Sequence, residues 1–352
     1  MNVYIYLLLA PYIVHFLVPK FKQKNKIEVI LCTAILALFV GMRDVSVGHD
    51  TIRYVSMFQQ AGQSGLQPLL NIIAEQRAPL FGVFMWICAQ LNFSIPMYFT
   101  AVALVHFIPL GILIYKRSSS IPFSYTMYTC LFLTLQLSGI KNTLATGIMF
   151  LCIDAALDKK LKKFIILTVI ASLFHVTSLI IVLVYPLVNM KKIMSPMKFP
   201  LFILAFVIGF FGRTQISAFF KMIGGYEDYG VLDAAPWSMT ILCIGCVVLG
   251  VLFDNKEKTH SQLLIISMIA ASFMPLVFVN PSALRVVRYF MIANTLLVPK
   301  AFATAERMSN DDRRMWVIVK GVELLFLVII AYQFLGSIAN AEVYQYSIFS
   351  QN

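Results

Sequence analysis

Between Arg43 and Tyr54 the chain reads RDVSVGHDTIRY, gathering Arg43, Arg53, Asp50, His49 and Tyr54 around Gly48. Planar guanidinium forks suit two-pronged contacts to phosphate or carboxylate, and a carboxylate or imidazole beside them can take a proton from a hydroxyl. A second group, Glu75, Gln76 and Arg77, precedes Pro79; Glu75 either serves as a base or pairs with Arg77. A third, SALRVVRYF, holds Arg285 and Arg288 at i, i+3 with Tyr289 next. That spacing puts both guanidinium groups on one helix face, where they could clamp a diphosphate or anchor a helix at an interface. His175 in ASLFHVTSL and Lys141 in GIKNTLA complete the reactive set. Anion binding and proton transfer are the chemistry these residues offer.

The elements that position them are membrane helices. Of the 352 residues, 60% are hydrophobic and 12% charged, and the mean hydropathy is +0.83. Such a composition excludes an ordinary soluble domain and predicts an all-α, polytopic integral membrane protein forming a single domain over residues 1–352. Apolar stretches near membrane-spanning length recur and predict roughly 12 transmembrane helices. Ten are read directly, near 3–19, 27–42, 97–115, 121–138, 143–157, 199–212, 237–253, 261–279, 288–303 and 315–335. Two regions have the wrong parity for simple spans. Residues 164–190 predict two short helices meeting near His175, and 66–92 predict a re-entrant or interfacial segment between Gln67 and Asn92. The first stretch lacks the basic region and small-residue cleavage site of a signal peptide and is expected to be a retained span.

Charge sets the expected orientation. Lysine-rich clusters at 20–26, 116–117, 159–163, 191–198, 256–258 and 300–314 are placed in the cytoplasm by the positive-inside rule, and both termini outside. Of the 28 Lys and Arg residues, 20 then lie inside, 16 of them lysine. The other eight are Arg43, Arg53, Arg77, Arg213, Arg285, Arg288, Lys141 and Lys221. Lysine suffices for anchoring, so an outer set dominated by arginine points to anion recognition on that side. The formal net charge of +12 comes from short loops that face headgroups, and no nucleic-acid partner is expected. All six cysteines lie in apolar stretches and imply no disulfide framework; Cys243 and Cys246 have C-x-x-C spacing inside a span, which reads as packing. Asp154 and Glu323, in or near spans, have no evident partner in sequence, and His15, His106 and His260 have no comparable polar company.

In order and spacing these residues resemble the EpsG-like branch of Wzy-type bacterial polysaccharide polymerases. The resemblance runs over nearly the whole chain: a glycine, Arg43 and VGHDTIRY after the second span, Glu75 before the next apolar segment, ASLFHVTSL after a lysine-rich turn, and a late Arg288 with Tyr289. Lys141 and Asn142 stand where such proteins usually carry Arg-Gln, keeping the charge but losing the fork.

The resemblance implies a membrane glycosyltransferase acting on oligosaccharide repeat units attached to polyprenyl diphosphate, within a membrane that also holds a flippase and a chain-length regulator. In the residues themselves, Arg43, Arg53, Tyr54, Arg77, Lys141, Arg285, Arg288 and Tyr289 are expected to contact substrate, and Asp50, Glu75 and His175, in that order, to act as base. No Asp-x-Asp occurs, so a metal-independent route without cofactor is expected. The expected place is the extracytoplasmic side of a bacterial plasma membrane. Two alternatives remain: a flippase of the same substrate, which should carry charge along a central cavity, and a sugar O-acyltransferase, for which His106 is the one deeply placed histidine.

Overall fold

The computed structural model describes residues 2–190, 197–224, 236–309, 311–341 and 344–349. Lys191 and Lys192 of the lysine clusters lie outside the described residues, as does the side chain of Lys221. The first half of the chain forms α1 (Asn2–Leu17), α2 (Lys24–Gly41), α3 (Thr51–Ala61), α4 (Gln67–Gln76), α5 (Pro79–Gln90), α6 (Ile95–Arg117), α7 (Ile121–Ser138) and α8 (Ile140–Leu157). After these come α9 (Leu161–Phe174), a 3-10 helix (Val176–Leu183), α10 (Val184–Asn189), α11 (Lys198–Phe211), α12 (Arg213–Gly224) and α13 (Trp237–Leu252). The last are α14 (Lys258–Val277), α15 (Ala283–Met291), α16 (Asn294–Met308) and α17 (Arg313–Ala339). Among the described residues there is no strand, only an isolated antiparallel bridge between Arg43 and Ile348.

Local sequence explains the starts and breaks. Pro68, Pro79, Pro96 and Pro122 occupy the first turns of α4 to α7, where a missing N–H costs nothing and a fixed φ helps. Ser94 caps α6, its hydroxyl accepting from the Met97 N–H at 3.5 Å. Arg77 ends α4 with φ 47°, a left-handed turn that separates it from α5. The region 66–92 is thus two short helices, and the next unusual region breaks at His175, between α9 and the 3-10 helix.

The chain folds as two compact units. The first comprises Met1–Asp154, Lys162–Leu179 and Lys320–Asn352. In it α2 and α6 run antiparallel and close together: a Cβ on Gly41 would lie 2.3 Å from the Thr100 hydroxyl, and one on Gly111, at the other end, 2.6 Å from that of Thr33. Only helices that nearly touch make such demands. The end of this unit where α2 begins is basic and paired. Lys116 donates to Asp154 at 2.7 Å, and Arg117 reaches the same carboxylate at 2.7 and 3.0 Å. There too, buried Glu28 meets His15 at 3.1 Å and Lys24 at 3.3 Å. Asp154, His15 and Glu323, the last bound to Lys320 at 2.9 Å, therefore do have partners, all at distances along the chain or around a helix turn that a linear reading does not connect. Breaking the buried Asp154 pairs would cost on the order of 3–5 kcal/mol.

The second unit comprises Ala155–Leu161 and Ile180–Val319. Its centre is α14, against which α11, α13 and α15 pack. Phe273 stacks on Phe290 at 5.7 Å, and Trp237 meets Phe278 edge-on at 4.8 Å.

The expected dozen spans is not established by helix length and composition. Among the described residues four helices are long and apolar enough to cross a membrane, α6, α8, α14 and α17, and the pair α15 and α16, bent by 40°, makes a fifth if it is one span. Five further apolar stretches are only 10–17 residues long. Hydropathy sees the apolar run but not where the helix axis turns: the expected span 288–303 is broken between Met291 and Asn294, with no glycine or proline at the break. The described residues form helices and no strand, and their long apolar helices are those of a membrane protein.

Candidate functional site

The reactive residues of the first unit gather at the end opposite its Lys116–Arg117–Asp154 cluster, where α2 ends and α3, α6 and α8 begin. Gly48 permits the connection. Its φ is 101°, and a Cβ there would come within 2.0 Å of the Leu137 carbonyl, so a side chain is excluded both by conformation and by space. The Thr51 hydroxyl lies 2.6 Å from the Val47 carbonyl and 3.2 Å from that of Leu137, and the His49 N–H donates to Ser138 Oγ at 3.2 Å. The loop after α2 is thereby pinned to the end of α7.

Arg43 is the centre of this loop. It is 1% exposed, and its guanidinium sits 4.2 Å above the Phe99 ring. Nη1 donates to the Val40 carbonyl at 2.6 Å. Nε and Nη2 are buried and find no protein partner among the described residues. Burial pushes this guanidinium down to about 10, with Tyr346 and Tyr98 opposing the fall, so it stays charged at neutral pH. A buried cation with two donors unmet costs several kcal/mol and persists only when other interactions hold it.

A segment far away in sequence completes the surroundings. Residues 344–349 return as a strap: the Asp44 N–H donates to the Ser347 carbonyl and the Phe349 N–H to that of Met42, both at 2.9 Å. Arg43 and Ile348 therefore face each other across the bridge, and Tyr346, two residues back, shares their face. Tyr346 stacks on Phe39 at 4.1 Å and donates to its carbonyl at 2.8 Å. Tyr4 donates to the Tyr344 carbonyl at 2.7 Å, and the Tyr344 hydroxyl lies 3.1 Å from Ser138 Oγ. Long sequence separation hid the strap; its three closely spaced aromatics, Tyr344, Tyr346 and Phe349, were the available signal.

Other expected residues form a chain of contacts on the same unit. Arg53 Nη2 meets Glu75 Oε1 at 3.1 Å, Gln76 donates to the same oxygen at 2.9 Å, and Lys141 Nζ reaches Gln76 Oε1 at 3.2 Å. Glu75 thus pairs with Arg53 rather than with Arg77, and Gln76, to which the sequence assigned no role, joins it to Lys141. Arg53, Glu75 and Arg77 are exposed. Asp50 is half-buried at the N-cap position of α3, and its side chain makes no capping hydrogen bond. Two bonds from Ser46 hold the Asp44 carboxyl below its usual range.

Tyr54 and Phe174 belong to one apolar cluster with Phe58, Phe81, Tyr98 and Leu144. Tyr54 is a floor of the site, meeting Phe81 edge-on at 5.7 Å, and half-buried His175 directly follows Phe174. Arg285, Arg288 and Tyr289 lie in the second unit, on α15, where the two arginines are half-buried and Tyr289 is 1% exposed. The helical spacing of the arginines holds. His106 is engaged at both ring nitrogens, by the Thr143 carbonyl at 2.8 Å and by the Tyr128 hydroxyl. Among the described residues no group of three or more His, Cys, Asp or Glu could hold a metal ion, and Cys243 and Cys246 are free, buried thiols.

A family profile described as EpsG family matches residues 26–348, a stretch that holds every residue placed above from Arg43 to Ile348. No curated protein and no solved structure matches the chain.

Proposed function

The chain belongs to the EpsG family, a Wzy-like polysaccharide polymerase family, and from that premise we propose that it joins polyprenyl-diphosphate-linked oligosaccharide repeat units into a surface polysaccharide at the extracytoplasmic face of a bacterial plasma membrane. In each cycle an acceptor hydroxyl attacks the anomeric carbon of a lipid-linked donor. A carbon–oxygen bond forms, the bond to the diphosphate oxygen breaks, and the proton passes to a protein base. The leaving group carries the developing negative charge, so fixed cations beside it supply the main stabilisation.

The observation that carries this reading is Arg43: a buried guanidinium, charged at neutral pH, with two N–H-bearing nitrogens unmet by protein. An anion satisfies such a group, and the reaction releases one. Arg53, Arg77 and Lys141 on the same unit would guide the anionic substrate; Arg285 and Arg288, in the second unit, would bind diphosphate as two forks on one face of α15. Asp50 is the favoured base, because Glu75 is already engaged by Arg53 and Gln76. The charge for the leaving group comes from arginine, so the route needs no divalent metal. The apolar helices offer surface to the polyprenyl chain, and a flippase and a chain-length regulator would work upstream and beside it.

The acyltransferase alternative is disfavoured by His106, whose two ring nitrogens are both bonded within the protein. For a flippase, charge should run through the bundle. In the first unit most of it collects at the two ends instead, with Arg43, Arg53, Glu75 and Lys141 at one and Lys24, Lys116, Arg117 and Asp154 at the other; the Lys320–Glu323 pair within α17 is an exception.

The orientation is testable by labelling. Ser46 and Gln23 are both exposed and flank the two ends of α2, about 27 Å apart along an 18-residue helix. In a background without native cysteines, Ser46→Cys should react with an impermeant maleimide in intact cells and Gln23→Cys should not. The opposite pattern would place the arginine-rich end in the cytoplasm and remove the site from the proposed substrate.

A further inference from the structure

The sequence of the α6 entrance, SIPMYFTAV, offers no chemistry on its own, yet it places a phenol beside the buried cation. Phe99 lies 4.2 Å under the Arg43 guanidinium, its ring centroid is 5.9 Å from that of Tyr98, and Tyr98 is 0% exposed. The Tyr98 ring is held by stacking on Phe58 at 4.4 Å. Its hydroxyl, like Arg43 Nε and Nη2, finds no protein partner among the described residues. Buried hydroxyls are nearly always bonded, because an unmet one costs about 1–3 kcal/mol. Two unmet guanidinium nitrogens and an unmet phenol, buried on residues that both pack against Phe99, have a common solution, which is an oxyanion.

We infer that Tyr98 is a binding residue of the Arg43 site, its O–H donating to a phosphate oxygen of the lipid diphosphate while Arg43 Nε and Nη2 hold the charge. The inference rests on the polymerase reading above and adds a residue that no motif marked. It also explains why a tyrosine rather than a phenylalanine stands in a stack where the ring alone would pack. Since Arg43 and Tyr98 are 1% and 0% exposed, an anion reaches them only when a cover moves. The strap paired with Met42 and Asp44 through two backbone hydrogen bonds is one such cover.

The test uses full-length purified protein in detergent, with geranylgeranyl diphosphate as probe and geranylgeraniol and inorganic pyrophosphate as controls. Tyr98→Phe keeps the ring and removes one donor. It should weaken geranylgeranyl diphosphate about tenfold, leave geranylgeraniol unchanged, and leave the thermal midpoint of the unliganded protein unchanged or higher, since an unmet group has been removed. Unaltered diphosphate affinity in Tyr98→Phe, with Arg43→Met having lost it, overturns the role of Tyr98 and leaves the polymerase reading standing. Unaltered affinity in both variants overturns the reading of the site itself. A lowered midpoint in Tyr98→Phe means that the hydroxyl has a structural partner, and this too overturns the inference. Pyrophosphate that competes as strongly as the lipid would make this a site for soluble anions and overturn its assignment to lipid substrate.

Discussion

Arg43→Met should abolish polymerisation while leaving the fold as stable as before, or more so. The side chain is 1% exposed, with two of its three guanidinium nitrogens unmet by protein. Removing such a charge relieves a desolvation penalty, and a methionine of similar length can still lie over Phe99. The bond to the Val40 carbonyl and the contact of cation with ring are lost, which together offset part of that relief. Activity has no such compensation. Loss of one preorganised donor to a developing oxyanion costs about 10²–10³ in rate, and this residue offers more than one. Arg43→Lys keeps the charge but lacks the fork, and should fall between the wild type and Met. Below about pH 10 the guanidinium is charged, so these deficits should be constant across the physiological range. Product yield per inserted protein and the thermal midpoint in detergent are the two readings required. A midpoint that collapses in Arg43→Met would make the residue a structural cation.

The second large effect is expected at Asp50. Asp50→Asn should eliminate transfer, and polyprenyl diphosphate should still bind, since the substitution leaves the Arg43 surroundings intact. Asp50 stands at the first turn of α3 without capping it, close in sequence to the loop that Gly48 and Thr51 pin against Leu137. His175→Gln should retain measurable activity with an unchanged pH profile. A dead His175→Gln with a normally polymerising Asp50→Asn reverses the assignment and makes the histidine the base. Glu75→Gln should be milder than Asp50→Asn, because its carboxylate is already shared between Arg53 and Gln76.

Much of the helical frame was legible because apolar length and flanking charge are local properties. The limits of α6, α7 and α13 lie within about two residues of the expected spans, and the break at His175 was expected because lysine clusters on both sides demanded an even number of crossings; the turn at Arg77, inside the segment expected to be re-entrant or interfacial, was not located. What could not be read depended on contacts between distant segments or on helix direction. The break before Asn294 carries no glycine or proline, so nothing local announced it. Arg43, Arg53, Glu75 and Lys141 were recognisable by type. Their arrangement was not: the pairing of Glu75 with Arg53, the bridging by Gln76, the burial of Tyr54 and Tyr289, and the strap at 344–349 all arise from tertiary packing. Tyr98 was the least visible of all, since an aromatic at a span entrance is common for interfacial reasons alone.

The polymerase claim is tested most directly by supplying the purified, reconstituted protein with one defined polyprenyl-diphosphate-linked repeat unit, in the presence of EDTA, and resolving the products by size. The account predicts a ladder of lengthened glycans with one polyprenyl diphosphate released for each unit joined, and no ladder from Arg43→Met. Repeat units that cross the bilayer without lengthening would contradict it in favour of a flippase, and a ladder that disappears in EDTA and returns with Mg²⁺ would contradict its metal-free chemistry.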